Sequence, residues 1–179
     1  MKRKPKVVGN VDSGKPSKSS KSKNTCRILI ANGVNLDLLG QREAKIYGTF
    51  SLADIEEHLF SITPSLAVIA GIKAKIELEF LQTNDEKQFI ESFASDYSGF
   101  LINAGAWTHT SIALSDRLSA VNRPFVEVHI SNTLARETYR HNSYLAAHAS
   151  GVVIGLGIHS YEVGLLGLLQ KIGPELRES

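Results

Sequence analysis

Beyond residue 25, short runs of apolar and β-branched residues alternate with stretches of helical spacing, and few architectures accept that order. Arg27–Ala31 reads as a strand ending in Asn-Gly. Ser51–Ile69 spaces Leu52, Ile55, Leu59 and Ile62 along one helical face, with Ser51 and Asp54 placed to cap its start. Lys75–Leu81 alternates, with Ile76, Leu78 and Phe80 on one side. A helix over Glu86–Tyr97, a strand over Gly99–Ile102, a helix over Thr110–Val121 and a strand over Pro124–Ile130 follow. A further helical stretch carries Arg136 and Arg140. Gly151–Leu156 is the last strand and Tyr161–Leu169 the last helix. Strands that alternate with helices pair in parallel, because the crossover helices must pack back onto the faces of the sheet.

The expected fold is therefore α/β: a doubly wound sheet of five parallel strands with helices on both faces, of the flavodoxin-like kind. In such sheets ligands bind beyond the carboxyl ends of the strands. The chain of 179 residues suits one domain, here residues 26–179, and its 42% hydrophobic and 21% charged residues are ordinary for a globular protein. Cys26 is the single cysteine, which excludes an intramolecular disulfide and fits a reducing, cytoplasmic setting. No apolar run approaches the roughly 20 residues of a membrane span, and no signal-peptide core is visible near the start.

Residues 1–25 differ from the rest. Eight Lys/Arg against Asp12 give this tail +7, which leaves −5 for the remainder of a chain whose net charge is +2. Rich in Lys, Ser, Gly and Pro, it has too little apolar surface to offset ordering entropy and is expected to be disordered. It reads either as a solvated extension, the commoner case, or as an attractor for nucleic acid or anionic surfaces. A transit peptide fits less well, since Arg enrichment and an amphipathic face are lacking.

The strand ends hold the ionisable residues. Asn32-Gly33-Val34-Asn35 follows the first strand, and Asn103 to Thr110 follows the third. Glu127, His129, Ile130, Ser131 and Asn132 lie in and after the fourth, with Arg136 and Arg140 beyond. In Glu127-Val128-His129, positions i and i+2 of a strand share a face, so a carboxylate lies beside an imidazole. A carboxylate so placed fixes the tautomer of the ring and favours its protonated form, which makes His129 a candidate general acid. A surface pair on an edge strand is the plainer alternative. The apolar neighbours favour a central strand instead.

Leu38–Gly48 has neither helical nor strand period and reads as a loop or lid holding Arg42, Glu43 and Tyr47. Tyrosine is a poor base near its usual pKa of about 10, and a guanidinium beside it favours the phenolate. On residues alone, Tyr47 as a packing residue and Arg42 as a solvated one remain open. His109 opens a helix on which Asp116 lies two turns later, where donors at a helix start would bind an anion or simply cap. Arg136 and Arg140, at i and i+4, would share a helical face, either as a carboxylate clamp or as solvated charges.

Other chemistries lack their patterns. There is no HExxH and no close Cys/His cluster, hence no expected metal or other cofactor, and no P-loop or GxSxG. Gly155-Leu156-Gly157 lacks the third glycine of a dinucleotide fingerprint.

Four ordered segments resemble the type II 3-dehydroquinate dehydratase family, over about Arg27 to Leu169. They are Asn32-Gly-Val-Asn35-Leu-Asp-Leu-Leu-Gly40 with Arg42-Glu43 and Ile46-Tyr47-Gly48; Ile102-Asn103-Ala-Gly-Ala-Trp-Thr-His109-Thr-Ser; Glu127-Val-His129-Ile-Ser131-Asn132 with Ala135-Arg136-Glu137 and Arg140-His141-Asn-Ser143-Tyr144; and Gly151-Val-Val-Ile-Gly-Leu-Gly157 with Tyr161. The resemblance implies a hydro-lyase of the shikimate pathway or of quinate breakdown, forming 3-dehydroshikimate through an enolate. It implies that Tyr47 is the base, that Arg42 lowers its pKa, that Asn35 helps to hold the enolate, and that His129, oriented by Glu127, is the acid. Asn103, His109, Arg140, Ile130 and Ser131 would hold the substrate. Asp116 would reach a neighbouring subunit's site in a dodecamer of trimers. It implies no cofactor and no membrane or nucleic-acid partner.

Val34, Ala44 and Ala104 stand where the family usually has proline, so looser loops and slower turnover are expected. Trp107 replaces a usual tyrosine, with an expected effect on subunit packing, and Ala146-Ala147-His148 also departs from the family pattern. Two competing readings are a non-catalytic binding module that uses the basic tail, and a lyase or isomerase acting on a related hydroxy acid.

Overall fold

A computed structural model describes residues 25–40 and 50–177. The basic tail and the segment carrying Arg42, Glu43, Ala44 and Tyr47 lie outside the described residues. So do the expectations that rest on them.

The five expected strands form one parallel sheet: β1 Thr25–Asn32, β2 Lys75–Gln82, β3 Gly99–Asn103, β4 Phe125–His129 and β5 Gly151–Ile154. The spatial order is β2-β1-β3-β4-β5, the doubly wound order in which the winding reverses between β1 and β3. Asn32 and Asn103 end these two strands as register partners, so the switch point is marked by a pair of asparagines.

Among the described residues the α-helices are α1 Leu52–Ala70, α2 Glu86–Ser92, α3 Ile112–Val121 and α4 His159–Arg177. The alternation of β1 divides the core. Cys26, Ile28 and Ile30 pack with Ile55 and Leu59 of α1 and with Leu165 and Leu168 of α4. Leu29 and Ala31 pack on the other face with Phe89 of α2 and Leu114 and Leu118 of α3. A one-residue slip would exchange the two sets, so the register is tightly specified. The first helix starts as the sequence predicts: Ser51 Oγ accepts from Asp54 N, and Asp54 Oδ2 accepts from Ser51 N, a reciprocal capping box.

Four helical expectations change, the last helix running from His159 to Arg177 rather than from Tyr161 to Leu169. The second helix ends at Ser92 rather than Tyr97. Arg117 donates to the carbonyl of Phe93, Arg123 donates to that of Ser95, and the Tyr97 hydroxyl donates to Glu79, so tertiary partners capture the groups that another turn would have used. The stretch from Thr110 gives an α-helix only from Ile112. His109 instead closes a 3-10 turn, Gly105–His109, so His109 and Asp116 are not two turns apart on one helix. Between β4 and β5 there is no α-helix but two 3-10 turns, Thr133–Ala135 and Thr138–Arg140. Arg136 between them is extended, with φ −110° and ψ −161°, which stops helical propagation.

Candidate active site

The carboxyl ends of β1, β3 and β4 open onto a cleft of about 140 Å³, room for a small organic acid. The chain after β1 contributes Val34, Asn35, Leu36 and Leu39. That after β3 contributes Asn103, Gly105, Ala106 and His109. That after β4 contributes His129, Ile130, Ser131 and Thr133, and the 3-10 turns add Arg136 and Arg140.

Glu127 and His129 share the face of β4 that the alternation predicts, and β4 is flanked on both sides by β3 and β5. Glu127 is 0% and His129 7% exposed. The edge-strand alternative therefore fails. His129 Nε2 lies 2.8 Å from Glu127 Oε1, Thr108 Oγ1 donates to the same oxygen, and Ser143 Oγ lies 2.9 and 2.8 Å from Oε1 and Oε2. Burial pushes the Glu127 carboxyl up. The hydrogen bonds from His129, Thr108 and Ser143, with the nearby imidazole charge, outweigh it and hold the pKa below the ordinary value. Glu127 is therefore an ionised acceptor, so His129 Nε2 carries a proton toward it and Nδ1 is the nitrogen left for the cleft. Ser143 is itself fixed, because its hydroxyl accepts from the backbone N–H groups of Leu145 and Ala146.

His109 stacks on His129, with ring centroids 6.3 Å apart and planes 11° from parallel. Its Nδ1 is 2.7 Å from the carbonyl of Asn142, which can only accept, so Nδ1 carries the hydrogen. Burial, and less strongly the His129 and Arg140 charges, lowers its pKa against the opposing pull of that carbonyl. The neutral ring then offers Nε2 as an acceptor for a hydroxyl.

Asn35 adopts a left-handed backbone with φ 65°, which a short polar side chain tolerates, and its N–H donates to Asn84 Oδ1 at 2.7 Å. Asn103 Nδ2 donates to the Tyr161 hydroxyl at 2.9 Å, and that hydroxyl donates to Asn32 Oδ1 at 2.6 Å. Asn103 is thus braced from behind while it lines the cleft. Arg140 Nε donates to Glu137 at 2.8 Å, and Arg136 Nε lies 3.6 Å from the same carboxylate oxygen. The two guanidinium groups reach one cleft, but from the extended link and the second 3-10 turn rather than from a shared helical face.

Asp116 is exposed on α3 and does not line its own chain's cleft. Ser111 caps α3 by accepting from Leu114 N, so this helix start serves as an ordinary cap. Trp107 packs inward against Phe89, ring centroids 5.1 Å apart. Ala104 holds φ −74°, a value that proline also adopts.

Sequence reasoning gave no role to Ser143, Tyr161, Asn32 or Asn84, and placed Thr108 only among the donors of a helix start. Only Asn84 stands outside the quoted segments. One grouping of metal-type donors, His58, His159 and Glu162, also went unread. It joins α1 to α4 outside the cleft lining, and only the spacing of His159 and Glu162 was visible in sequence.

Known proteins match most of the chain. The family model described as Dehydroquinase class II matches residues 26–169. A 3-dehydroquinate dehydratase of an Exiguobacterium species is 46% identical over 146 residues, 80% of this chain and 94% of that protein. One from Prochlorococcus marinus is 43% identical over 148 residues, 81% of this chain and 97% of the relative. The crystal structure of the type II dehydroquinase from Propionibacterium acnes superposes with a TM-score of 0.67 at 38% identity, covering 81% of this chain and 96% of that one. With four-fifths of its length matched and its sheet and cleft in the expected places, the chain belongs to the class II dehydroquinase family.

Proposed function

We propose that this chain dehydrates 3-dehydroquinate to 3-dehydroshikimate, as a hydro-lyase of the shikimate pathway or of quinate breakdown. The observation that carries the reading is the buried, ionised Glu127 holding His129 at the mouth of the cleft. Loss of water from a β-hydroxy ketone needs a base at the carbon α to the carbonyl and an acid at the leaving hydroxyl. Tyr47, as a phenolate favoured by the charge of Arg42, takes the α proton, and the electron pair moves to the carbonyl oxygen. Holding the phenolate near neutrality requires a shift of about three pKa units, or roughly 4 kcal/mol. Asn35 helps to hold the enolate. When the carbonyl re-forms, the C–O bond breaks and His129, carrying a second proton on Nδ1, hands it to the departing hydroxyl, which leaves as water. Glu127 is the counter-charge for His129 while it carries that proton.

Arg140, with Arg136 beside it, takes the substrate carboxylate through its guanidinium fork. Asn103, the neutral Nε2 of His109, and Ile130 and Ser131 hold the ring hydroxyls. The placement of Asp116, exposed and away from its own cleft, supports a second element of the reading: trimers gathered into a cytoplasmic dodecamer, each Asp116 completing a neighbour's site. Light scattering measures that assembly directly.

The product is an enone conjugated with a carboxylate, so its absorbance reports the reaction. With 3-dehydroquinate and EDTA, wild-type protein is expected to build this band, while Tyr47→Phe and His129→Ala lose most of the rate. No band from folded wild-type protein would sink the proposal. Faster turnover of a related hydroxy acid would move the assignment to that substrate.

A further inference from the structure

Outside the cleft, α1 and α4 pack against each other, and three titratable side chains meet on their seam. His58 lies in the second turn of α1. His159 opens α4, and Glu162, three residues on, shares its face. Glu162 Oε2 is 3.1 Å from His58 Nε2 and 3.1 Å from His159 Nδ1, and all three donor atoms lie within 4.8 Å of one another. The imidazole rings stand edge to face, 6.1 Å apart at 85°.

These distances are those of a coordination shell. In a tetrahedral site with bonds of roughly 2.0–2.1 Å, adjacent ligand atoms are about 3.3 Å apart. Two edges of the triangle are already near that length, and the imidazole–imidazole edge has to close from at most 4.8 Å. The side chains are 30% (His58), 66% (His159) and 36% (Glu162) exposed, so a cation can enter and water can complete the shell. Two imidazoles and a carboxylate suit zinc and its neighbours in the first transition row, and not the all-oxygen preference of magnesium or calcium. The start of α4 opposes a cation with about half a positive charge, and the full negative charge of Glu162 outweighs it.

We propose that His58, His159 and Glu162 form a binding site for a divalent transition-metal cation, zinc first, that clasps α1 to the start of α4. On binding, the nitrogen that each imidazole turns toward Glu162 gives up its proton to coordinate the metal, and the ring keeps its N–H on the remote nitrogen. The two N–H···O contacts are replaced by three metal–ligand bonds. The clasp tightens a mechanically relevant place. Ser160 Oγ, next to His159, donates to the carbonyl of His129, and Tyr161 ties Asn32 to Asn103. The zinc neither touches the substrate nor takes part in the proposed reaction.

The test is calorimetric titration of zinc chloride into metal-stripped full-length protein, with thermal unfolding in parallel. One equivalent per chain is expected, with a rise in unfolding temperature and no response to magnesium chloride. Cobalt(II) is expected to give the intense visible bands of a low-coordinate site. His58→Ala and the near-isosteric Glu162→Gln are each expected to weaken binding by at least about tenfold while the dehydration rate without zinc stays unchanged. Absence of a zinc equivalent in folded wild-type protein overturns the proposal. So does unchanged affinity in the His58→Ala/His159→Ala double variant, which would place the metal elsewhere, on the cleft histidines for instance.

Discussion

Replacing Tyr161 by phenylalanine removes one oxygen from the interior and little volume, which makes it a clean probe of what braces the cleft. Tyr161 is 0% exposed, and its hydroxyl is the middle of a three-member chain, accepting from Asn103 Nδ2 at 2.9 Å and donating to Asn32 Oδ1 at 2.6 Å. Both asparagines are buried, at 3% and 4% exposed, so neither orphaned group finds bulk water. Each unsatisfied buried polar group costs about 1–3 kcal/mol. Asn103 Oδ1 still accepts from Gly105 N at 3.3 Å, which limits its drift and places the sum at about 2–4 kcal/mol. For a domain of this size that corresponds to an unfolding midpoint lower by roughly 5–15 °C. Urea unfolding followed by circular dichroism measures the first quantity and calorimetry the second. Because Asn103 lines the cleft, KM for 3-dehydroquinate is expected to rise as well. A Tyr161→Phe variant within about 0.5 kcal/mol of wild type would refute the reasoning, since the hydroxyl would then be replaceable by water or by relaxation.

Other consequences follow from the same geometry. Ser143→Ala removes a donor to the ionised Glu127, a bond of about 1.5–3 kcal/mol, so the acid limb of the pH–rate profile is expected to move upward and kcat to fall with KM little changed. Glu127 has a folded pKa below its unfolded value. Its contribution to stability is therefore present above the unfolded pKa, near 4.5, and is lost as pH falls through the depressed folded value. Glu127→Gln is expected to flatten that acid limb in urea unfolding measured between pH 3 and 6, with almost no change in side-chain volume. Arg140→Lys gives up the planar fork and the Nε bond to Glu137, and steady-state kinetics are expected to show a higher KM with kcat less affected.

Much of the fold was legible because its signals are local. Alternation in β1 and helical spacing in α1 each survive in a window of eight to twenty residues. The Glu127–His129 pair was legible for the same reason, since i and i+2 are fixed by the pleat. What supports that pair was not. Thr108 and Ser143 stand 19 and 16 residues from Glu127, and nothing in their neighbourhoods says that their hydroxyls converge on one carboxylate. Asn84 reaches Asn35 from 49 residues away, and Tyr161 reaches Asn32 from 129. The misread helices fail similarly: Phe93 and Ser95 have helical neighbours, but Arg117 and Arg123 claim their carbonyls from α3 and beyond. The resemblance proposed substrate-holding roles for Asn103 and His109, which residue patterns alone left as a strand-end residue and a helix start. The seam between α1 and α4 shows the converse, a side-chain cluster invisible in sequence because His58 and His159 meet only across the fold.

The proposed mechanism divides the labour between a base that makes the enolate and His129, which releases the hydroxyl. Proton NMR of 3-dehydroquinate in deuterium oxide separates the two steps. With His129→Ala, the carbon α to the ketone is expected to take up solvent deuterium while the enone accumulates far more slowly than with wild type. With Tyr47→Phe, neither exchange nor product is expected. Enone formation by His129→Ala at the wild-type rate would contradict this division, because the proton on the leaving hydroxyl would then come from another group.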